Sequence, residues 1–205
     1  MSTAQPRQSR SDYGDLADRI LDAAGRLVLS AGARKLSLSD VATLAGVSRP
    51  TIYRYFASKE DLIDALGAQV RRRFDEAMER AIYGVTGLAR WEAAVDLVVT
   101  FMEDQPPGRQ LDLDPGFAHG QMARALPMIT ERLMVVLQQC VREDGFDAAP
   151  SARDLAGAVA RVALSHYIFP DTDPAAGRRQ IRAAAGLPDC RYRMSGSERE
   201  PRRTR

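Results

Sequence analysis

The sequence predicts an all-α protein, and three observations carry that expectation. Apolar residues recur at three- and four-residue steps along most of the chain, no stretch alternates as a strand would, and glycines, prolines and capping residues punctuate the chain at helical intervals. Leu16, Ile20, Ala24, Leu27 and Ala31 mark a first amphipathic helix over about residues 13–31, which Gly32 stops. A second, two-turn helix begins near Ser37, where Ser37 and Asp40 have the spacing of a capping box, and turns Val41, Ala42 and Ala45 inward before Gly46. Gly46-Val47-Ser48 then makes a tight turn. Ser48 caps a third helix that tolerates Pro50 in its first turn and points Ile52 and Phe56 inward.

Beyond Ser58, the spacing of Leu62, Leu66, Val70, Phe74, Ala77 and Ala81 predicts a long fourth helix to about Tyr83, broken by Gly84 and Gly87. Trp91, Val95, Val98 and Met102 mark a fifth that ends before Pro106-Pro107-Gly108. Further helices are expected at about 115–123 and 126–143, then at about 151–169 after Gly145 and Pro150, with Pro170 ending the last of these. Asp173 is placed to cap a final helix from Pro174 to about Ala185. The expected organisation is a disordered arm over 1–12, a short helical domain over 13–60, a larger helical domain over 61–187, and a basic, disordered tail over 188–205.

Composition narrows the class. The net charge is only +2, but residues 1–60 carry nine Lys/Arg against six Asp/Glu, residues 61–177 eleven against eighteen, and residues 178–205 nine against three. Basic ends on an acidic middle suit a nucleic-acid-binding end attached to a body that phosphates repel. No run reaches the eighteen or so apolar residues of a membrane helix, and the first dozen residues do not read as a secretory signal, so a cytoplasmic location is expected. Cys140 and Cys190 lack metal-type spacing. His119 and His166 lie far apart in sequence, so neither a metal site nor acid/base catalysis is expected, and no cofactor. An enzyme fares poorly as a reading, because no nucleophile-base pair, phosphate loop or carboxylate pair stands out.

The informative stretch is LSDVATLAGVSRPTIYRYFASKEDL, Leu38 to Leu62. Two short helices joined by a glycine turn, the second rich in Arg, Thr and Tyr, make a helix-turn-helix. Small Ala42 and Ala45 let the helices cross closely, Gly46 supplies backbone freedom, and Val47, Ile52 and Phe56 hold the second helix at a fixed angle, presenting it to a major groove. This segment resembles the DNA-binding domain of the tetracycline-repressor (TetR) family. Within AGVSRPTIYRYFASKEDL, Ala45 to Leu62, stand the family's turn, its Tyr-x-x-Phe recognition-helix pattern and its Ser-Lys-Glu-x-Leu opening of helix four. The resemblance covers about residues 15–65. The family's usual aromatic after the first-helix glycine is absent, since Ala33 follows Gly32.

The resemblance implies that Arg49, Pro50 and Tyr53 meet base edges, and that Thr51, Tyr55 and Lys59 face phosphate. Chemistry agrees: a guanidinium at Arg49 forks to guanine O6 and N7, and Lys59 near a helix N-terminus suits a phosphate oxygen. Ser37 and Ser39, at the start of helix two, add backbone contacts. Each tyrosine has a competing reading as a core aromatic with a wet hydroxyl. Arg54 has one as a solvated side chain, and Arg71-Arg72-Arg73 reads as an exposed helix face rather than a DNA clamp.

One recognition helix covers few bases, so the expected partners are a palindromic operator duplex and a second copy of the chain. The resemblance implies that two late helices form the homodimer. The stripe Leu155, Ala156, Val159, Val162, Ala163, His166 and Tyr167 is the candidate. It also implies an effector pocket after helix four, for which Trp91, Phe101, Met102, Phe117, Met122 and Met134 are candidate lining and His119 a polar contact, although such side chains also simply fill cores. The implied function is a repressor released from its operator by a small hydrophobic effector, helix four tilting to carry the first three helices with it. The alternative is a constitutive or ligand-activated DNA-binding protein.

Overall fold

The computed structural model describes residues 10–104, 113–144, 151–173 and 175–188, and every element of secondary structure among them is helical. The helices are α1 (Arg10–Ala31), a 3-10 turn η1 (Ala33–Lys35), α2 (Leu38–Ala45), α3 (Arg49–Tyr55), α4 (Lys59–Ile82), α5 (Gly87–Glu103), α6 (Pro115–Asp144), α7 (Ala152–Ile168) and α8 (Ala176–Ala184). The expectations for residues 1–9, for the tail beyond Pro188 with its Cys190, and for the breakers Pro106-Pro107-Gly108, Gly145 and Pro150 lie outside the described residues.

The chain forms two compact units. The first comprises the described residues to Glu76 together with Leu113–Ala118. Its core gathers Ile20, Ala24 and Val28 of α1 with Leu38, Val41 and Ala45 of α2, Ile52 of α3, and Leu62 and Leu66 of α4. Local chemistry delimits these helices. Gly32, at φ 84° and ψ 154°, takes a conformation essentially reserved for glycine, and a Cβ there would lie 3.3 Å from the Leu113 Cβ. Gly46 closes α2 in the left-handed region at φ 67°, and the Ser37 and Ser48 hydroxyls cap α2 and α3 by accepting from the Asp40 and Thr51 amides.

Within this unit polar ties join α4 to α1. Asp18 Oδ1 accepts from the buried Gln69 amide and from Arg72 Nη2, each at 3.1 Å, and Arg73 Nη2 reaches Asp22 at 2.6 Å. The ion pairs are half-exposed and each contributes at most about 1 kcal/mol. Leu66 beneath them provides the larger burial.

In the second unit, α5, α7 and α8 pack against one another. Trp91, Ala94, Val95 and Val98 of α5 and Ala156, Val159, Ala160 and Ala163 of α7 are fully buried. The Trp91 indole N–H donates to the Ala185 carbonyl at 3.0 Å, so its one polar atom is satisfied inside the core. Arg182 of α8 is buried, donating to Asp96 Oδ1 at 2.6 Å and to the Pro188 carbonyl.

Three boundaries differ from expectation. The two helices expected at 115–123 and 126–143 are one, with Pro127 inside α6. A proline interior to a helix costs about 3 kcal/mol, and the stripe Ile129, Leu133, Val136, Leu137 and Cys140, buried beyond it, outweighs that cost. Gly87 does not break a helix but starts α5, at φ 57°. Asp173 lies two residues before Ala175, the N-cap of α8, and shapes the turn into it: its carboxylate accepts from the Ala175 N–H at 2.9 Å and its carbonyl from the Ala176 N–H.

Three substitutions test these contacts. Gly32→Ala is expected to lose about 1–3 kcal/mol in denaturant unfolding, from the disfavoured backbone and the tight Leu113 contact. Arg182→Ala, which removes a buried guanidinium with its hydrogen bonds to the half-exposed Asp96 and to the Pro188 carbonyl, is expected to lose about 1–3 kcal/mol in the same measurement. Arg178→Ala, removing a half-exposed pair with Glu103, is expected to lose under about 1 kcal/mol.

Candidate nucleic-acid interface

The surface of α3 follows from how the helix is held. Seven residues are too few for a stable isolated helix, so α3 depends on its caps and on tertiary burial. Ile52 is fully buried and Phe56 nearly so, fixing one side of α3 in the core. The opposite side carries Arg49, Pro50, Tyr53 and Arg54, all exposed. Tyr53 is 55% exposed, which excludes the core-aromatic reading for this residue. An arginine, a proline and a tyrosine on one side of a rigid helix offer a forked donor, an apolar wedge and an amphipathic ring.

Tyr55 is different. It packs partly against the core, its ring centroid 6.4 Å from that of Phe56, and the Arg54 guanidinium lies 5.7 Å over its ring. The solvated reading of Arg54 is thereby modified to a side chain resting on an aromatic face. The Thr51 hydroxyl lies 2.7 Å from that of Ser48, within the cap. Ser37 is likewise engaged in capping, its hydroxyl donating to Asp40 Oδ2 at 2.6 Å, while Ser39 is half-buried and its carbonyl accepts from the Thr43 hydroxyl at 3.0 Å.

Lys59 opens α4, half-exposed, and its Nζ donates to the Arg34 carbonyl at 2.9 Å. That bond brings together residues the sequence reading did not connect: Arg34 and Lys35, both exposed on η1, join Lys59 in a basic neighbourhood at the N-terminus of α4. A Lys-Arg pair after a helix-stopping glycine was the available signal, but only the fold places it beside a residue 25 positions away. Arg19 adds support by donating to the Ala45 carbonyl at 3.0 Å, tying the end of α2 to α1.

The candidate effector residues are not gathered into one place. Trp91 is a fully packed core residue with its N–H satisfied, and Phe117 packs against the core of the first unit, the cluster that also contains Ala33. In the second unit Phe101, Met102, Met122 and Met134 are half-buried and His119 is exposed. An open groove of about 290 Å³ between α6 and α7 includes Met134, but its walls also carry Glu131, Arg153, Asp154 and Arg161.

Of the candidate dimer residues, Leu155, Val162 and His166 are half-buried, whereas Val159 is fully buried within the chain and offers no surface to a partner, because it faces the core of its own unit. His166 is spoken for locally, with Nε2 3.0 Å from Gln180 Oε1 and its ring packed on Gly177. Among the described residues, no helix is long and apolar enough to cross a membrane, and no cluster of His, Cys, Asp and Glu is placed to hold a metal ion.

Comparison with known proteins agrees with this geometry. The sequence profile of "Bacterial regulatory proteins, tetR family" matches residues 20–66, from the middle of α1 into α4. An HTH-type transcriptional regulator of Mycobacterium tuberculosis is 35% identical over 91 residues, which cover 44% of this chain and 45% of the relative. The HTH-type transcriptional regulator EthR of Mycolicibacterium smegmatis is 42% identical over 84 residues, covering 38% and 39%. The chain thus spans less than half the length of these relatives. The crystal structure of a TetR-family regulator from Haemophilus influenzae shares the fold, with a TM-score of 0.61, 20% identity and coverage of 87% of this chain and 98% of that one. Residues 20–66 thus match the DNA-binding segment of the tetR family of bacterial regulatory proteins, and most of the chain shares its all-helical fold with the solved regulator.

Proposed function

We propose that this protein is a transcriptional regulator that reads an operator duplex with α3 and anchors on the phosphate backbone through Lys59 at the start of α4. The observation that carries this reading is the exposed row Arg49, Pro50 and Tyr53 on a helix whose other side is locked by Ile52 and Phe56. Arg49 and Tyr53 address base edges in the major groove, and Thr51, Tyr55 and Lys59 address phosphates, with Ser37 and Ser39 beside them at the start of α2. The polar ties around α3 and α4 hold these groups before DNA arrives, which lowers the ordering cost of binding.

Two copies acting on a palindrome supply the length of site that one seven-residue helix cannot read. Leu155, Val162, His166 and Tyr167 of α7 are the residues of the expected stripe that retain surface for such a partner. A regulator of this kind works as a repressor released by a small hydrophobic effector, DNA and effector opposing each other through linkage. Phe101, Met102, Met122 and Met134 support an effector site in the second unit. The full burial of Trp91, and the packing of Phe117 against the core of the first unit, favour the second reading, a DNA-binding regulator without effector release.

Selection of bound duplexes from a random pool, followed by anisotropy titration of the winner, tests the DNA reading. Selective enrichment over scrambled duplex is expected, and no enrichment overturns the reading. Tyr53→Ala is expected to cost about 1–3 kcal/mol on the selected duplex and to relax base preference. Lys59→Ala is expected to weaken all duplexes alike and to lower the slope of log affinity against log salt by about 1.

A further inference from the structure

Among the described residues only three polar side chains are buried, Gln69, Asp114 and Arg182, and Asp114 is the one whose partners lie beside the DNA-facing residues. Both its carboxylate oxygens are engaged. Oδ1 accepts from the Phe117 N–H at 3.1 Å, capping the first turn of α6, and Oδ2 accepts from the Arg34 N–H at 3.1 Å, across 80 positions of sequence. The carbonyl of the same Arg34 accepts from Lys59 Nζ at 2.9 Å. The segment around Asp114 is a strap over η1: Leu113 meets Gly32, Asp114 holds Arg34, and Phe117 packs on the core that contains Ala33.

We propose that Asp114 is a positioning residue for DNA binding, holding η1 so that the Arg34 carbonyl orients the Lys59 ammonium toward phosphate. This rests on the reading of Lys59 as a phosphate contact. A lysine side chain is long and flexible, and a fixed acceptor at its tip restricts the orientations it samples before binding. The sign of the effect separates this role from plain electrostatics. Removing a carboxylate near a polyanion strengthens binding by charge alone, whereas releasing η1 weakens it.

The test is a double-mutant cycle on the selected operator, with wild type, Asp114→Ala, Lys59→Ala and the double variant titrated at several salt concentrations. Asp114→Ala is expected to weaken binding roughly tenfold, the range of losing a hydrogen bond to a charged group. The double variant is expected to bind no more weakly than Lys59→Ala alone. Asp114→Asn keeps an acceptor for one of the two amides only, so it is expected to weaken binding less, and it decides by the same criteria if the alanine variant does not fold. Binding that is unchanged or tighter in the Asp114 variants, or losses that multiply in the double variant, overturn the proposal. Failure of the wild type to select any duplex overturns the DNA reading instead.

Discussion

The angle at which α3 leaves α2 is the constraint on which the rest of the first unit depends. Ala42 and Ala45 permit close approach, Gly46 turns the backbone through the left-handed region, and Ser48 restarts a helix whose Ile52 is wholly enclosed. With so few residues in α3, none of this comes from intrinsic helix stability. The burial of Ile52 and Phe56 does two jobs at once. It stabilises the helix, and it leaves Arg49, Pro50 and Tyr53 on the outside.

Charge is divided along the same lines. The carboxylates Asp18, Asp22 and Asp114 are turned to internal partners, namely Gln69, Arg72, Arg73 and the Arg34 amide. Cations on α3, η1 and the start of α4 remain at the surface. The modest positive balance of residues 1–60 is therefore sharper locally than its sum suggests. With those acids paired to α4 and η1, the exposed Arg34, Lys35, Arg49 and Arg54 dominate the charge of this surface.

The second unit shows a different economy. Small alanines on α7 let it pack closely, while Trp91 of α5 is satisfied by the Ala185 carbonyl just beyond α8, and Arg182 of α8 by Asp96 of α5 and the Pro188 carbonyl. A packed indole is not pocket lining. The half-buried Phe101, Met102, Met122 and Met134 are softer, and any effector contact in this unit falls to such residues rather than to the tryptophan.

The sequence by itself determined the helical class, the caps at Ser37 and Ser48, the turn at Gly46 and the division of α3 into Ile52/Phe56 and Arg49/Tyr53 sides, because all of these are local: periodicity and capping act within a few residues. It also carried the family's motif from Ala45 to Leu62, which is contiguous in the chain. Tertiary structure alone decided that Pro127 sits inside one helix, because the burial that outweighs a proline is contributed by other elements. It decided that Trp91 is a core residue and that Phe117 packs against the core of the first unit, since large apolar side chains look alike in sequence whether they line a cavity or fill one. It decided, too, that Asp114, Arg34 and Lys59 form one connected path, because hydrogen bonds across 80 and 25 positions leave no trace in local pattern.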